Sequence, residues 1–281
     1  MRCLMFPGQG VQRPGMGADL FDEFPREVEA ADAVLGYSIR ALCLHNPEGR
    51  LSDTRYAQPA VFFVNALDAR RRVAQEGDEG EPVAWYVGHS LGEYNALVAA
   101  GCLDLMDALR LVRARAEAMA AVHGGAMSAV AGTGAAEVAS VLRAARVRDV
   151  YVANRNSDRQ TVIAGGRDDV ADAAGALREA GVRAVVPLPV SGPFHTPLMA
   201  PAARAYLPAL RDQDFKHPAV PVLSGVTAAA FDPARAAALL AAQITAPVEW
   251  VRTVRALRAA GVTRFDEANG TTLTSLLSAI A

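Results

Sequence analysis

The chain has 281 residues, 52% apolar and 21% charged, a globular composition long enough for a large domain carrying a smaller one and ill suited to disorder. Lys plus Arg (28) nearly balances Asp plus Glu (30), so the formal charge of −2 gives no electrostatic case for nucleic acid as a partner. The three cysteines, Cys3, Cys43 and Cys102, fit no metal-ligand spacing, no apolar run approaches a membrane span, and the apolar stretch after Arg2 is too short for a signal-peptide core, so the expectation is a soluble, unprocessed, cytoplasmic protein with neither metal nor membrane.

Residues 3–6 read as a buried first strand that stops at a glycine-rich loop, 7–17, and helices dominate from there to about residue 80. A second buried strand, 83–87, runs into Gly88-His89-Ser90-Leu91-Gly92, and a helix follows as far as Gly101, a residue suited to a helix stop. Asp104 is placed to cap the next helix. Its apolar positions Leu105, Ala108, Leu109, Val112, Ala116 and Met119 recur at three and four residues, and it ends near His123-Gly124-Gly125.

The pattern then changes: strand 127–131, helix 135–145, strands 150–153 and 161–164, helix 170–180, strand 184–190. The order βαββαβ is that of a ferredoxin-like unit. It predicts a small domain at 124–190, bounded by Gly124-Gly125 and Ser191-Gly192-Pro193 and inserted between two parts of a large domain, 1–123 and 191–281. The second part reads as a helix, a short strand at 220–224, an alanine-rich helix, a helix from about Trp250, and a terminal strand and helix. Strands alternating with helices predict an α/β fold with a mainly parallel sheet covered on both faces.

The unit Gly88-His89-Ser90-Leu91-Gly92 fits GxSxG between a buried strand and a helix. Glycines on either side of the serine let the backbone turn sharply and neighbouring elements approach, which holds the hydroxyl out at the strand's end. The following helix points its free N–H groups at developing negative charge. The same five residues are also compatible with an ordinary glycine-rich turn capped by a serine. A serine nucleophile needs a base, and the chain has five histidines. His45 and His217 lie in loop-like sequence, His123 ends a helix, and the side chain of His89 should point away from its neighbour Ser90. His195 sits in a loop after a predicted strand, where α/β enzymes place catalytic groups, although position alone leaves a structural role equally open.

Several stretches together resemble the malonyl-CoA:acyl carrier protein transacylase family, which includes the acyltransferase domains of polyketide synthases. They are Phe6-Pro7-Gly8-Gln9-Gly10, the GxSxG unit with Glu93-Tyr94, Arg113-Ala114-Arg115, Asn154 to Ser157 with Val162 to Gly165, Gly192-Pro193-Phe194-His195, and Gln243 to Trp250, in family order over nearly the whole chain. The resemblance implies a hydrolase-like large domain with a ferredoxin-like insertion. It implies Ser90 as nucleophile, His195 as base, the amides of Gln9 and Leu91 as oxyanion hole, and the Gln243 region orienting His195 through a backbone carbonyl, a dyad without a triad carboxylate. Arg115 would hold the free carboxylate of a malonyl group, a task suited to a planar, permanently charged fork. On a helical wheel it lies roughly 70° from the centre of the apolar stripe, at its border, a place that without the resemblance equally suits an arginine whose stem covers apolar surface and whose head lies in water.

The implied reaction is ping-pong transfer of malonyl from coenzyme A to the phosphopantetheine thiol of an acyl carrier protein, with no cofactor beyond the thioester substrate. Leu91 and Phe194 resemble the malonyl-selective subset; Phe194 would crowd an α-methyl branch. The GxSxG region and residues 34–39 look closest to free-standing acyltransferases serving polyketide synthases, with a fatty-acid synthase enzyme as the near alternative. An acyl hydrolase would use the same serine and histidine, and a silent carrier-binding module is a further class. The arginines Arg252, Arg255 and Arg258 are spaced to show one charged face, to an acidic carrier, to coenzyme A phosphates, or simply to water. Two positions depart from the family pattern: Val11 stands where serine is common, and Ala268 to Leu273 replaces a Gly-Pro-Gly stretch, so no role is carried onto that loop.

Overall fold

The computed structural model describes residues 1–76, 80–190 and 192–281, so Ser191, expected at the domain boundary, lies outside the described residues. The first two predicted strands are direct neighbours. β1 (Arg2–Phe6) runs parallel to β2 (Val83–Gly88), with Phe6 opposite Gly88, so the loops carrying Gln9 and Ser90 leave the same edge side by side. β8 (Arg264–Glu267) pairs with the other side of β1 and β7 (Val222–Leu223) with the outer side of β2, giving a parallel sheet in the order β7-β2-β1-β8.

The alternation of a strand explains how both faces of β1 are buried. Leu4 and Phe6 join the larger core with α3 (Thr54–Glu76), α4 (Gly92–Ala99) and α5 (Leu105–Ala120). Cys3 and Met5 point the other way, to Trp250, Val254 and Leu257 of α10 (Trp250–Ala259) and Leu273 of α11 (Thr272–Leu277). The remaining helices of this domain are α1 (Pro25–Leu35), α2 (Ile39–His45), α8 (Ala200–Arg211) and the alanine-rich α9 (Ala236–Thr245).

The second sheet is antiparallel throughout, in the order β4-β5-β3-β6, with β3 (Gly125–Ala131), β4 (Val150–Ser157), β5 (Gln160–Gly166) and β6 (Ala184–Pro187). With α6 (Ala135–Ala144) and α7 (Arg167–Glu179) it is a ferredoxin-like unit. Val130, Ile163, Val138, Leu142 and Leu177 form its own core, whereas Met127, Val162 and Ala164 face the large domain and join the main core.

Two local expectations are corrected. The strand predicted over 184–190 ends at Pro187; the Leu188 amide still donates to the Met127 carbonyl of β3 at 2.9 Å, and the chain then turns away, the Val190 amide folding back onto the Leu188 carbonyl at 2.8 Å. Asp104 occupies the N-cap position of α5, but only its carbonyl is used, accepting from the Ala108 amide at 2.9 Å; its side chain makes no cap bond. The basic stripe on α10 forms one exposed face, as its spacing predicts, and its arginines also bond within the chain: Arg252 donates to the Thr227 carbonyl, Arg255 to Asp158 and the Ala281 carbonyl, and Arg258 to the carbonyls of Leu277 and Ile280. A carbonyl-rich chain end beside a row of guanidinium groups satisfies both. Among the described residues, no helix is long and apolar enough to cross a membrane.

Candidate active site

The turn after β2 is strained at the serine itself. Ser90 has φ +52, in the left-handed region, whereas neither Gly88 nor Gly92 has a positive φ. The flanking glycines answer a different need: a Cβ on Gly88 would lie 1.9 Å from the Gly92 carbonyl carbon, and one on Gly92 would lie 2.0 Å from the Phe6 oxygen. Close approach, rather than conformational freedom, excludes a side chain there. The His89 amide donates to the Phe6 carbonyl at 3.0 Å and the Glu93 amide to the Ser90 carbonyl at 3.1 Å, pinning the turn to β1 and to the start of α4.

His195 comes from the loop that returns from the second sheet and is also left-handed, with φ +62. Its amide donates to the Ile244 carbonyl at 3.2 Å, its Nδ1 lies 2.8 Å from the Gln243 carbonyl, and its Nε2 lies 2.7 Å from Ser90 Oγ. A carbonyl only accepts, so Nδ1 carries the hydrogen and Nε2 is left to accept the serine proton. Burial, then the positive charge of Arg115, push the imidazole pKa down to about 3, so the ring is neutral at physiological pH. Among the described residues no carboxylate touches it.

Arg115 is 1% exposed. Its Nη2 donates to Ser90 Oγ at 3.1 Å and to Gln243 Oε1 at 3.0 Å, its Nη1 donates to Gln58 Oε1 at 2.5 Å, and the guanidinium carbon lies 5.8 Å from the Tyr94 ring centre. Every one of these partners is neutral, and Nε is buried with no partner. A buried cation with an unfilled donor beside the serine is an arrangement completed by an anion. The wheel put Arg115 at a border; the structure buries it because α5 packs against α3 and α8 on its flanks as well as against the rest of the core.

The sites of Ser90, His195, Arg115, Gln9, Leu91 and Phe194 share one cavity of about 90 Å³, whose opposite wall is Met127, Asn154, Val162, Leu188 and Val190 of the second sheet and the segment after it. Among the described residues the amides of Gln9 and Leu91 meet no backbone acceptor. Gln243 contributes its backbone to His195 and its side chain to Arg115. His89, expected to point away, does line the cavity, but its Nε2 is engaged by Asn156 Oδ1 at 2.9 Å and its ring packs near Trp250. None of residues 268–273 lines the cavity; Asn269, at φ +52, is tied by its amide to Asp68 and by its side chain to Asn65.

Sequence reasoning missed Gln58 and Thr54. Gln58 Nε2 donates to Thr54 Oγ1 at 2.9 Å, and that hydroxyl donates to Gln9 Oε1 at 2.8 Å, so one chain of side chains links Arg115 to the Gln9 loop. A signal existed: Thr54 and Gln58 stand four apart on the same face of a helix that is otherwise largely apolar across its buried positions. Glu93, which the motif carries without an expected role, is buried against Gln243.

The family model described as acyl transferase domain matches residues 3–270. Polyketide biosynthesis protein ThaF of Burkholderia thailandensis is 43% identical over 281 residues, which is 100% of this chain but 24% of that protein. Polyketide biosynthesis malonyl CoA-acyl carrier protein transacylase PksC of Bacillus subtilis is 40% identical, over 100% of this chain and 97% of its own. The crystal structure of malonyl CoA-acyl carrier protein transacylase from Burkholderia pseudomallei superposes with a TM-score of 0.92 at 40% identity, covering 100% of this chain and 97% of that one.

Proposed function

The chain belongs to the acyl transferase domain family, and on that premise we propose that it moves a malonyl group from malonyl-CoA to the phosphopantetheine thiol of an acyl carrier protein through an ester on Ser90. The observation that carries the reading is a single oxygen: Ser90 Oγ lies 2.7 Å from His195 Nε2 and 3.1 Å from the buried Arg115 guanidinium. Nucleophile, base and carboxylate clamp meet at one atom.

His195 takes the Ser90 proton as Oγ attacks the thioester carbonyl, and the amides of Gln9 and Leu91 hold the resulting oxyanion. The C–S bond breaks, the proton returns from His195 to the sulfur, and coenzyme A leaves as its thiol. The carrier's thiol then gives its proton to His195, attacks the ester, and takes the acyl group, restoring Ser90. The Gln243 carbonyl keeps the imidazole in the tautomer both halves need. Arg115 engages the distal carboxylate, which distinguishes this role from hydrolysis of neutral acyl chains. The second sheet excludes water from the ester. No cofactor is needed, because the thioester arrives activated.

Service to a polyketide synthase is the preferred pathway, supported by similarity to PksC across its length. The cytoplasm is the preferred compartment, supported by three buried free cysteines. The test is intact mass after brief exposure to malonyl-CoA: wild type gains one malonyl group, loses it to added carrier protein, and Ser90→Ala gains nothing. Adduct formation on Ser90→Ala, or none on wild type, refutes the reading. Carriers from polyketide and fatty-acid systems, compared side by side, test the pathway; equal charging removes the preference.

A further inference from the structure

Glu93 stands three residues beyond Ser90 in the first turn of α4 and is 1% exposed. A carboxyl at such depth is costly without partners, yet no cation pairs with it among the described residues. Two hydrogen bonds converge on Oε2: the Gln243 side chain donates from Nε2 at 2.6 Å and the Gly225 amide at 3.1 Å. Nothing in the catalytic cycle above uses it.

A glutamine side chain is nearly symmetric in shape and opposite in polarity at its two ends, so something must decide which end faces Arg115. A carboxylate oxygen accepts. By taking Nε2 it turns Oε1 of Gln243 toward Arg115, where it accepts from Nη2 at 3.0 Å. The Ser90 carbonyl, 3.1 Å from the same Nε2, acts in the same sense, and the short contact to Glu93 is the stronger of the two. A reversed amide would oppose two donors at Arg115 and two acceptors at Glu93.

We propose that Glu93 is a positioning residue for acyl-group selection, which fixes the Gln243 amide so that Arg115 is held by neutral partners and aimed at the acyl pocket with its Nε unfilled. The inference rests on the malonyl-transfer reading. Direct contact between Glu93 and Arg115 would neutralise the guanidinium and compete with the incoming carboxylate. With Gln243 interposed, the arginine is placed by neutral oxygens and Nε is left unfilled. Burial pushes the Glu93 carboxyl up to about 7, and in either protonation state Oε2 remains an acceptor, since Oε1 has no partner of its own.

The experiment measures initial rates of covalent loading from malonyl-CoA and from acetyl-CoA by intact mass, and takes their ratio. Glu93→Gln, which keeps an acceptor oxygen, retains a ratio within tenfold of wild type. Glu93→Met lowers the ratio tenfold or more. Gln243→Met, in which the backbone carbonyl facing His195 survives, lowers it by a similar factor, and the double variant lowers it no further. A smaller fall in Glu93→Met, equal losses with both donors, or additive effects in the double variant overturns the inference, as does a Glu93→Gln ratio as low as that of Glu93→Met. Should Glu93→Met not fold, an unchanged ratio in Gln243→Met overturns it. Wild type that takes no malonyl at all defeats the malonyl-transfer reading, an outcome distinct from wild type that loads normally while the variants keep its ratio.

Discussion

Ser90 Oγ accepts a hydrogen bond from Arg115 Nη2 at 3.1 Å, so the serine hydrogen is left for His195 Nε2 on the other side, 2.7 Å away. Arg115 therefore orients the Ser90 hydroxyl, and on the proposed reading a carboxylate held by the guanidinium would lie within reach of Ser90 Oγ. One side chain could serve both tasks because a guanidinium carries several donors in a fixed plane.

Arg115→Ala is expected to lower kcat/KM for malonyl-CoA about 100-fold, on the order of 3 kcal/mol, as befits a lost charge-assisted pair. Acetyl-CoA, which has no distal carboxylate, should lose less. Steady-state kinetics with both donors check this; an unchanged malonyl-to-acetyl ratio removes Arg115 from acyl selection.

The acid limb of kcat/KM should lie below about pH 5 rather than near the value of a free histidine, about 6.5. Burial and then the Arg115 charge hold His195 down at about 3, so the base stays neutral and competent until the pH falls through that value. Arg115→Ala removes the second cause and should move the limb upward. The sign for stability follows: below about pH 6.5 the unfolded chain takes up a proton that folded His195 refuses, so this group's contribution to stability is lost as the pH falls. A wild-type limb near pH 6.5 in initial-rate profiles would contradict the argument.

Phe194, 6% exposed, shares the cavity with Leu91 and leaves little room for a branch next to the thioester. One added carbon is worth about 1–3 kcal/mol in a steric pocket, so malonyl-CoA should exceed methylmalonyl-CoA by roughly 10- to 200-fold. Phe194→Ser should shrink that preference about tenfold in competition assays. Comparable turnover of both donors by wild type would show that the wall is not where selection occurs.

Two glycine-to-alanine changes in helices should act in opposite directions. Gly92→Ala sets a Cβ 2.0 Å from the Phe6 oxygen, and the backbone there has little freedom to move, so a loss of about 3 kcal/mol or more is expected. Gly175→Ala in α7 meets nothing within 4 Å and should gain about 1 kcal/mol from helix propensity. Denaturant titration of both variants measures the contrast, and a Gly92→Ala protein as stable as wild type would mean that β1 and α4 are not held as closely as described.

Much of this was readable along the chain because it depends on local periodicity. The strand, tight turn and helix around Ser90 follow from a buried apolar run meeting closely spaced glycines, and the order βαββαβ follows from the switching of period between residues 125 and 187. The basic stripe of α10 was legible as a stripe, but its partners at Asp158 and the last residues of the chain are remote in sequence, and helical spacing carries no information about them. The same holds for Asp104, whose residue type suits a cap that the surrounding backbone does not use.

By itself the sequence determined which groups are available and which elements carry them: a serine raised between glycines, an arginine on the margin of an amphipathic helix, a histidine in a loop after a strand. Only the tertiary structure decided that these meet. Parallel pairing of β1 with β2 sets the loops of Gln9 and Leu91 side by side, and the return from the second sheet brings His195 to within 2.7 Å of a serine 105 residues away. Periodicity records how a segment meets its own neighbours, whereas the polarity of the Gln243 amide, the depth of Arg115 and the depressed pKa of His195 arise from low-dielectric contacts between segments that share no local pattern.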